Sequence, residues 1–599
     1  MNILGITCYV HDSAACLIKD GNVIANIEEE RLNRIRHTSA FPKQAIEYVL
    51  DAGNLAISDI DIIAFNWNPY KALVSECLKF LLISPPVYFK MLKYNQPPKH
   101  FRTIFSSFFL KYSIKKKVGK GFRGKVVWVD HHMAHASSAY YLSSFERADI
   151  LVIDGFGEFA ATTFLQAENQ NIEHRWWVSA LDSLGLVYLN ITRFLGFAPF
   201  QEGKTMALAS YGKDTCRELF GRIIQILPND TFSIDKKYLA WWRLTAGELD
   251  SALGLPRNPE DPITQHHMDL AASLQKKVTD IVLHMLKAAS GKSGNKHLCL
   301  AGGFFLNCTI NAAVQGSGYY EKYFIPPCAS DAGGAIGAAL YAAFTLGNEL
   351  YIPSTVPFSP YLGPAYADSE IREIVAKSGL PYWRSDNPGA IAAQAISQNK
   401  IIGWVQGRVE AGPRALGARS ILASPRHTYV RDHLNKKIKK REYFQPAAPV
   451  VTEQAALRYF ELEQPIPQSA YYMLLAVQVK KAYREILAGI THVDGSARIQ
   501  VVRPEWSPEL YALLHEYEKL TGFAVVINTS FNQHEPMVCS PVDALHTFKA
   551  AGLDMLVLGN YIVEHKARDK DQNMVVATSP MPLHDGNNLA GNSGSRRYS

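Results

Sequence analysis

Nowhere in the 599 residues do two cysteines stand in C-x-x-C spacing. The eight cysteines (Cys8, Cys16, Cys77, Cys216, Cys299, Cys308, Cys328 and Cys539) are scattered singly. That spread excludes a cysteine zinc site and a disulfide frame, and suits thiols kept reduced in a cytosol. No apolar run approaches the roughly 18 to 20 residues needed to span a bilayer. The N-terminus has no basic region followed by an apolar stretch, since Met1 to Ile6 runs straight into His11 and Asp12, so no secretory leader is expected. Charge of one sign is scarce too. A formal net charge of +7 with no long basic tract permits anionic substrates without arguing for nucleic acid. With 20% charged and 47% hydrophobic residues, the composition is that of a soluble, cytoplasmic protein with no stable membrane insertion. The length exceeds one hydrophobic core, so about two to four domains are expected.

What is present is most informative at Asp130-His131-His132-Met133-Ala134-His135-Ala136. This run follows a strand-like segment, Lys125 to Val129, and opens an alanine-rich helical pattern. Residues four apart share one helix face, so His131 and His135 can aim two imidazoles at one point. The pair is a metal clamp if a carboxylate arrives from elsewhere, and a structural feature otherwise. Two acidic, glycine-flanked turns could supply it: Asp154-Gly155-Phe156-Gly157 and Asp331-Ala332-Gly333-Gly334. His132 points off the shared face.

An internal repeat is visible. Asn2 to Thr7, Ser13 to Lys19, an Asp20-Gly21-Asn22 turn and Val23 to Glu28 read as a three-strand meander. Asp149 to Asp154, Ala160 to Ala167, a turn at Glu168 to Gln170 and Ile172 to Trp176 repeat it. Two such meanders suggest the duplicated actin/Hsp70/sugar-kinase core, or else two unrelated hairpins in a large α/β protein. Between Asn66 and Lys125, lysines and arginines stand against one acid, Glu76, and are interleaved with aromatics and broken at Pro85-Pro86 and Pro97-Pro98. This is a helical insertion packed on the core, or a lid or acceptor surface. Prolines at 353, 357, 360 and 364 mark a linker, and residues from 569 onward, rich in Asn, Gly, Ser and Pro, read as a disordered tail.

Two further groups carry chemistry. A strand at Leu298 to Leu300 leads into Ala301-Gly302-Gly303, whose paired glycines let backbone N–H groups approach a phosphate, with Asn307 and Asn311 following at helical spacing. In the second half stand Gly412-Pro413-Arg414-Ala415-Leu416-Gly417-Ala418-Arg419, Lys439-Lys440-Arg441, His492 to Arg498 and Asn528-Thr529-Ser530-Phe531-Asn532. Arginine forks take phosphate bidentately, lysines neutralise it, and Ser or Asn can hold a carbonyl or ribose.

Taken in order, these motifs resemble those of the NodU/CmcH family of O-carbamoyltransferases along nearly the whole chain, up to about residue 570. The resemblance rests on His11-Asp12-Ser13-Ala14-Ala15, Glu28-Glu29-Glu30-Arg31, the Asp130 and Asp154 runs, Ala301-Gly302-Gly303 with Leu306-Asn307-Cys308, the Gly412 loop, His492-Val493-Asp494-Gly495 and Asn528 to Asn532. It implies an α/β protein with a duplicated actin-like (ASKHA, RNase H-like) N-terminal domain and a C-terminal YrdC-like α/β domain. The corresponding boundaries are 1–350 for the transfer domain with its 66–125 insertion, 351–366 for the linker, 367–568 for the YrdC-like domain and 569–599 for the tail.

The implied reaction has two steps. Carbamoyl phosphate and ATP, the latter with Mg2+, give carbamoyl-adenylate in the C-terminal domain. A hydroxyl of a small-molecule acceptor then takes the carbamoyl group in the N-terminal domain and AMP leaves. By the same resemblance His131, His135, Asp331 and Asp154 are metal ligands, for Fe2+ or another divalent metal. His11 takes the acceptor proton, as an imidazole near its own pKa can. Gly155, Lys204, Gly302, Gly303, Asn307 and Asn311 would line the nucleotide. Arg414, Lys439, Arg441, Arg498, Asn528, Ser530 and Asn532 would grip carbamoyl phosphate and ATP. A homodimer is compatible with this reading.

Two departures stand out. Gln445, in Arg441-Glu442-Tyr443-Phe444-Gln445-Pro446, replaces an arginine usual in the family, so weaker carbamoyl phosphate binding is expected. Glu202-Gly203-Lys204-Thr205-Met206 is a loosened form of a usual stretch. The alternatives are an actin-like ATPase or kinase without carbamoyl chemistry, a tRNA threonylcarbamoyl transferase, and a regulatory ATP-binding module without turnover. The acceptor is not legible.

Overall fold

A computed structural model describes residues 1–82, 106–235, 238–240, 243–244, 253–347 and 349–565. The first strand, β1 (Asn2–Thr7), shows the logic of its sheet. Alternate side chains point to opposite faces of a strand, so Ile3 enters one core while Leu4 and Ile6 enter another. β1 pairs antiparallel with β2 (Ala14–Lys19), which turns back through Asp20 and Gly21 (φ 50° and 76°) into β3 (Asn22–Glu28). On its other edge β1 runs parallel to β4 (Ile62–Phe65), and β4 to β5 (Lys125–Trp128). The order is β3-β2-β1-β4-β5.

The second half repeats that order. β6 (Arg147–Ile153), β7 (Ala160–Glu168) and β8 (Asn171–Ser179) form the meander. Two small hairpins follow, β9 (Ile224–Ile226) with β10 (Phe232–Ile234), and β11 (Leu239–Ala240) with β12 (Arg243–Leu244). Then β13 (His297–Ala301) joins β6 in parallel and β14 (Lys322–Phe324) joins β13, giving β8-β7-β6-β13-β14.

In each half a helix follows the fifth strand: His131–Tyr141 after β5 and Gly334–Tyr341 after β14. These two helices pack together between the sheets because the second carries almost no side chain. A Cβ on Gly337 would meet the Ala134 carbonyl at 1.8 Å, and one on Gly5 of β1 would meet that of Ala335 at 1.9 Å. All eleven residues of the first helix are buried, its histidines included. Polar groups are tolerated at such depth only when something partners them, and the packing puts the N-terminal ends of the two helices side by side.

A nine-stranded mixed sheet fills the C-terminal part. Its strands are β15 (Tyr382–Arg384), β16 (Ile402–Val405), β17 (Arg419–Ala423), β18 (Ala448–Val451), β19 (Leu475–Gln478), β20 (Ser496–Val501), β21 (Val525–Ser530), β22 (Met555–Leu558) and β23 (Tyr561–Val563). They stand in the order β15-β23-β22-β16-β17-β21-β18-β20-β19. One continuous core runs from the inner face of the first sheet through the second sheet into this one. A smaller core lies on the outer face of the first sheet under the helix Lys43–Ala52, which supplies Ala45, Ile46, Val49 and Leu50.

Residues 351–366 contain no helix or named strand and lie against the Arg408–Leu416 loop. There Tyr361 bridges to Glu410 and its hydroxyl donates to the Leu416 carbonyl. Of the basic insertion, the helices Pro69–Leu82 and Leu110–Lys117 are described between β4 and β5. Its centre and the tail from residue 569 lie outside the described residues. No helix among the described residues is long and apolar enough to cross a membrane, and the described cysteines form no disulfide.

Candidate functional site

The helix after β5 presents His131 and His135 one turn apart, with their Nε2 atoms 3.2 Å from each other. The turn after β6 brings Asp154, whose Oδ2 lies 3.2 Å from His131 Nε2 and 4.0 Å from that of His135. Asp331 begins the short turn before the Gly334 helix, and its Oδ1 lies 3.5 Å from both imidazoles. One ligand atom from each of the four residues falls within 4.8 Å of the rest, and all four residues are buried. Two imidazole nitrogens and two carboxylate oxygens facing one point fit a divalent cation of borderline hardness such as iron(II). The Nδ1 atoms of both rings have no hydrogen-bond partner among the described residues, so no outer group fixes their tautomers.

Electrostatics follow from this crowding. Burial disfavours the His131 imidazolium, yet Asp331 and Asp154 hold it well above its usual value, while His11 and His131 keep Asp331 well below the carboxylate range despite burial. His132 sits on the other face with Nδ1 2.6 Å from Thr163 Oγ1, and burial beside its two neighbours depresses its pKa. Glu158 caps the helix, accepting the His131 N–H with both oxygens at 3.1 Å; burial pushes its carboxyl up to about 7.

His11, after β1, adjoins this centre. Its Nε2 lies 3.3 Å from Asp331 Oδ2 and its Nδ1 3.0 Å from Asp12 Oδ2. The other oxygen of Asp12 lies 2.8 Å from His37 Nδ1. Burial opposes protonation of His11, but Asp331 and Asp12 outweigh it and push the ring up to about 10. Phe200 closes over both rings, stacked on His37 at 4.3 Å and edge-on to His11 at 5.2 Å.

The glycine pair follows β13. Gly302 (φ 97°) has no room for a side chain, since a Cβ would lie 2.1 Å from the Ile153 carbonyl, and the Gly303 N–H donates to Asp154 Oδ1 at 3.0 Å. Gly155 faces open space. Asn307 caps the helix Cys308–Gly316 and donates to Gln275. Asn311 is buried, donating to the carbonyls of Phe305 and Leu474, and so is turned into the packing rather than toward an opening. Lys204 pairs with Glu442 at 2.7 Å, and Gln445 holds the other oxygen of the same carboxylate.

In the C-terminal part, Arg414 lies in the loop before β17, Arg441 after the Lys439 turn and Arg498 on β20. No carboxylate comes within ion-pair distance of any of the three among the described residues. Burial and the neighbouring Arg498 lower Arg414 to about 9 and Arg441 to about 10; burial also lowers Arg498. Lys439 is buried as well and spends its ammonium on Ser530 (O at 2.8 Å, Oγ at 3.1 Å) and Asn532 (O and Oδ1 at 2.6 Å), so it ties those two residues together. Asn528 donates to the Ala415 carbonyl and Gln500, leaving its Oδ1 buried and without a partner. Arg419, in the same sequence cluster, is fully buried and donates to five main-chain carbonyls, a structural use. The two sites adjoin: Arg414 Nη2 donates to the Leu306 carbonyl at 3.0 Å, beside Cys308.

Thus the structure brings His11, His131, His135, Asp154, Asp331 and Gly303 into one centre, and Arg414, Arg441 and Arg498 into a second. Asp12, His37 and Phe200 had no assigned role from sequence. Asp12 could have been found as the neighbour of His11, whereas nothing local marks His37 or Phe200.

Comparison with known proteins places the chain in a family. A family model described as Carbamoyltransferase N-terminus matches residues 2–340, and one described as Carbamoyltransferase C-terminus matches residues 393–565. Nodulation protein NolNO of Sinorhizobium fredii is 36% identical over 96% of this chain and 82% of its own length. Nodulation protein NolO of Bradyrhizobium diazoefficiens is 37% identical over 76% and 82%, and protein sll1178 of Synechocystis 35% identical over 95% and 98%.

Proposed function

Because the chain belongs to the carbamoyltransferase family and is a transferase of that kind, we propose that it is an ATP-dependent O-carbamoyltransferase working in two steps at its two sites. In this reading the repeated N-terminal sheets form an actin-like domain and the nine-stranded sheet a YrdC-like one. The observation that carries it is the convergence of Arg414, Arg441 and Arg498, three half-buried cations with no carboxylate within ion-pair distance among the described residues. Unpaired buried charge is costly, and an anionic ligand relieves it. Carbamoyl phosphate and the phosphates of ATP, entering with magnesium, are such ligands.

Atom balance sets the first step. Water cleaves carbamoyl phosphate to carbamate and phosphate; the carbamate oxygen attacks the α-phosphorus of ATP, and pyrophosphate leaves. The guanidinium forks hold the phosphates, while Lys439 keeps Ser530 and Asn532 in place along the pocket. In the second step an acceptor hydroxyl on a sugar or specialised metabolite loses its proton and attacks the carbamoyl carbon, and AMP departs. His11 is the group placed to take that proton: Asp331 and Asp12 favour its imidazolium, and a cation held by Asp331 would offset that and leave the ring neutral to act as base, with Asp12 fixing its orientation. A divalent metal held by His131, His135, Asp154 and Asp331 would supply positioning and charge neutralisation for the nucleotide phosphate. The Gly302-Gly303 turn receives the nucleotide close to the backbone. Carbamoyl-adenylate hydrolyses readily, and the direct contact of the two sites shortens its exposure to water.

A kinase-like ATPase needs no second anion pocket, so the arginine trio weighs against it. The test is pyrophosphate release from ATP and magnesium with and without carbamoyl phosphate. Release that depends on carbamoyl phosphate is the expected result; ADP formation indifferent to it would sink the reading.

A further inference from the structure

The run Glu28-Glu29-Glu30-Arg31 contributes no ligand to either site, yet Glu28 and Arg31 are 5% and 3% exposed. They grip the N–H and the carbonyl of one residue from the other domain, Gly412, and so the two peptide units that flank it. Glu28 Oε1 accepts the Gly412 N–H at 2.7 Å, and Arg31 Nη2 donates to the Gly412 carbonyl, also at 2.7 Å. The two side chains pair with each other at 3.5 Å. Gly412 has φ 97°, and a Cβ there would lie 2.4 Å from the Pro327 carbonyl, four residues before Asp331. Two residues beyond Gly412, Arg414 reaches the Leu306 carbonyl.

As structural cement Arg31 is poorly used. Its Nη1 has no hydrogen-bond partner among the described residues, and its Nε meets Glu28 Oε2 only at the 3.5 Å of their ion pair, too long for a good hydrogen bond. Each buried donor or acceptor left unmade is destabilising, and an apolar pair of the same volume would hold the fold at less cost. Arg419 provides the contrast within the same molecule: equally buried, it spends its donors on five carbonyls. What Glu28 and Arg31 supply in return is direction, because an acceptor on the peptide before Gly412 and a donor on the peptide after it fix both peptide planes and hence the turn at that glycine. Arg34, on the same segment, donates to the carbonyls of Pro536 and Met537, in the loop that follows Asn532.

We propose that Glu28 and Arg31 are positioning residues for carbamoyl phosphate, acting through the two peptides that flank Gly412 to set Arg414 in the anion pocket. This rests on the two-step reading above. The guanidinium of Arg414 is held by one carbonyl only, with Nε unpartnered. Its place therefore depends on the loop that carries it, which Asn528 and Gln500 hold on one side of Arg414 at the Ala415 and Leu416 carbonyls and which the pair holds on the other side at Gly412.

Full-length protein and its Arg31→Met and Arg31→Lys variants would be assayed for pyrophosphate release at saturating MgATP over a range of carbamoyl phosphate. Arg31→Met is expected to raise KM for carbamoyl phosphate about tenfold or more, with kcat within about threefold, the loss of one charge-assisted contact. Arg31→Lys, which keeps a cation and a donor beside Glu28, should shift KM less. A fall in kcat at unchanged KM overturns the proposal, since damaged folding removes active sites without altering the affinity of the remainder. An unchanged enzyme overturns it equally. If Arg31→Met does not fold, Glu28→Gln serves: its amide oxygen still accepts the Gly412 N–H while the charge facing Arg31 is gone. The same KM rise is expected there, and an unchanged KM rejects the idea. Wild-type protein without carbamoyl phosphate-dependent release would instead overturn the two-step reading, and this proposal with it.

Discussion

The Arg414 guanidinium donates to the Leu306 carbonyl across 3.0 Å, although 108 residues separate them. Leu306 ends the turn after the glycine pair of one site, and Arg414 belongs to the cation cluster of the other. In the proposed reaction an adenylate made beside Arg414 would have the Gly302-Gly303 turn as its immediate neighbour. Predictions for the two half-reactions can be made separately.

His11→Gln keeps the ring's approximate volume and removes its basicity. Transfer, read as AMP release with glycerol as a surrogate hydroxyl acceptor, should fall about 10²- to 10⁴-fold. Pyrophosphate release should stay within about twofold. An equal loss in both would mean that His11 supports the fold instead of the proton transfer.

Arg498→Met removes one of three half-buried cations, the one that repels both of the others. The melting temperature without ligand should stay level or rise, because the remaining arginines are relieved. KM for carbamoyl phosphate should rise about 10- to 100-fold, the loss of a charge-assisted contact. A lowered melting temperature with an unchanged KM would show that Arg498 serves the β20 packing alone.

Asp331→Asn weakens the four-residue cluster without changing its shape. Metal content of the purified protein, measured by plasma mass spectrometry after loading with iron(II), should fall from about one ion per chain to a small fraction. Pyrophosphate release should persist, since the cation pocket lies elsewhere. Full metal retention in the variant would remove Asp331 from the ligand set.

Asp494 predicts an acid-sensitive contribution. Partial desolvation opposes its charge, but the His492 ring 3.6 Å away and the N–H and hydroxyl of Ser496 outweigh it and hold the carboxyl below the usual range. Ser210, from the N-terminal half, adds a contact at 3.0 Å. A depressed folded-state pKa means that the native state binds fewer protons than the unfolded one. The stabilisation is therefore complete above the unfolded value, roughly pH 4, and is lost as pH falls below it. Asp494→Asn should melt lower than wild type at pH 7, and the gap should close below about pH 4. A gap independent of pH would refute the assignment.

Much of the N-terminal half was legible from local pattern. The meander at Asn2 to Glu28 and its repeat at Asp149 to Trp176 sit within a residue or two of β1 to β3 and β6 to β8, except that β8 runs on to Ser179. The alternation of apolar residues and the Asp20-Gly21 turn carry that information within a few residues. The roles of Asn311 and Arg419 were not legible. Both stand in sequence beside groups of the two sites, yet their donors are consumed by carbonyls from Leu474 and from Cys539, and no local rule foretells those meetings. Lys439 was read as a phosphate ligand, whereas in the fold it saturates itself on Ser530 and Asn532.

What the chain by itself determined is whatever depends on near neighbours: the shared helix face of His131 and His135, the strand periods, and the positive φ that glycine permits at 302 and 412. Covalent geometry and backbone sterics decide such things over a few residues. Only the tertiary structure decided that Asp331 meets His131 from 200 residues away, that Arg441 stands beside Arg498, and that Gly412 is held by Glu28 and Arg31 across 384 and 381 residues. Those meetings follow from sheet order and from the close approach that Gly337 allows between two helices. Both are set by how whole layers pack, and packing sums over contacts that no local window contains.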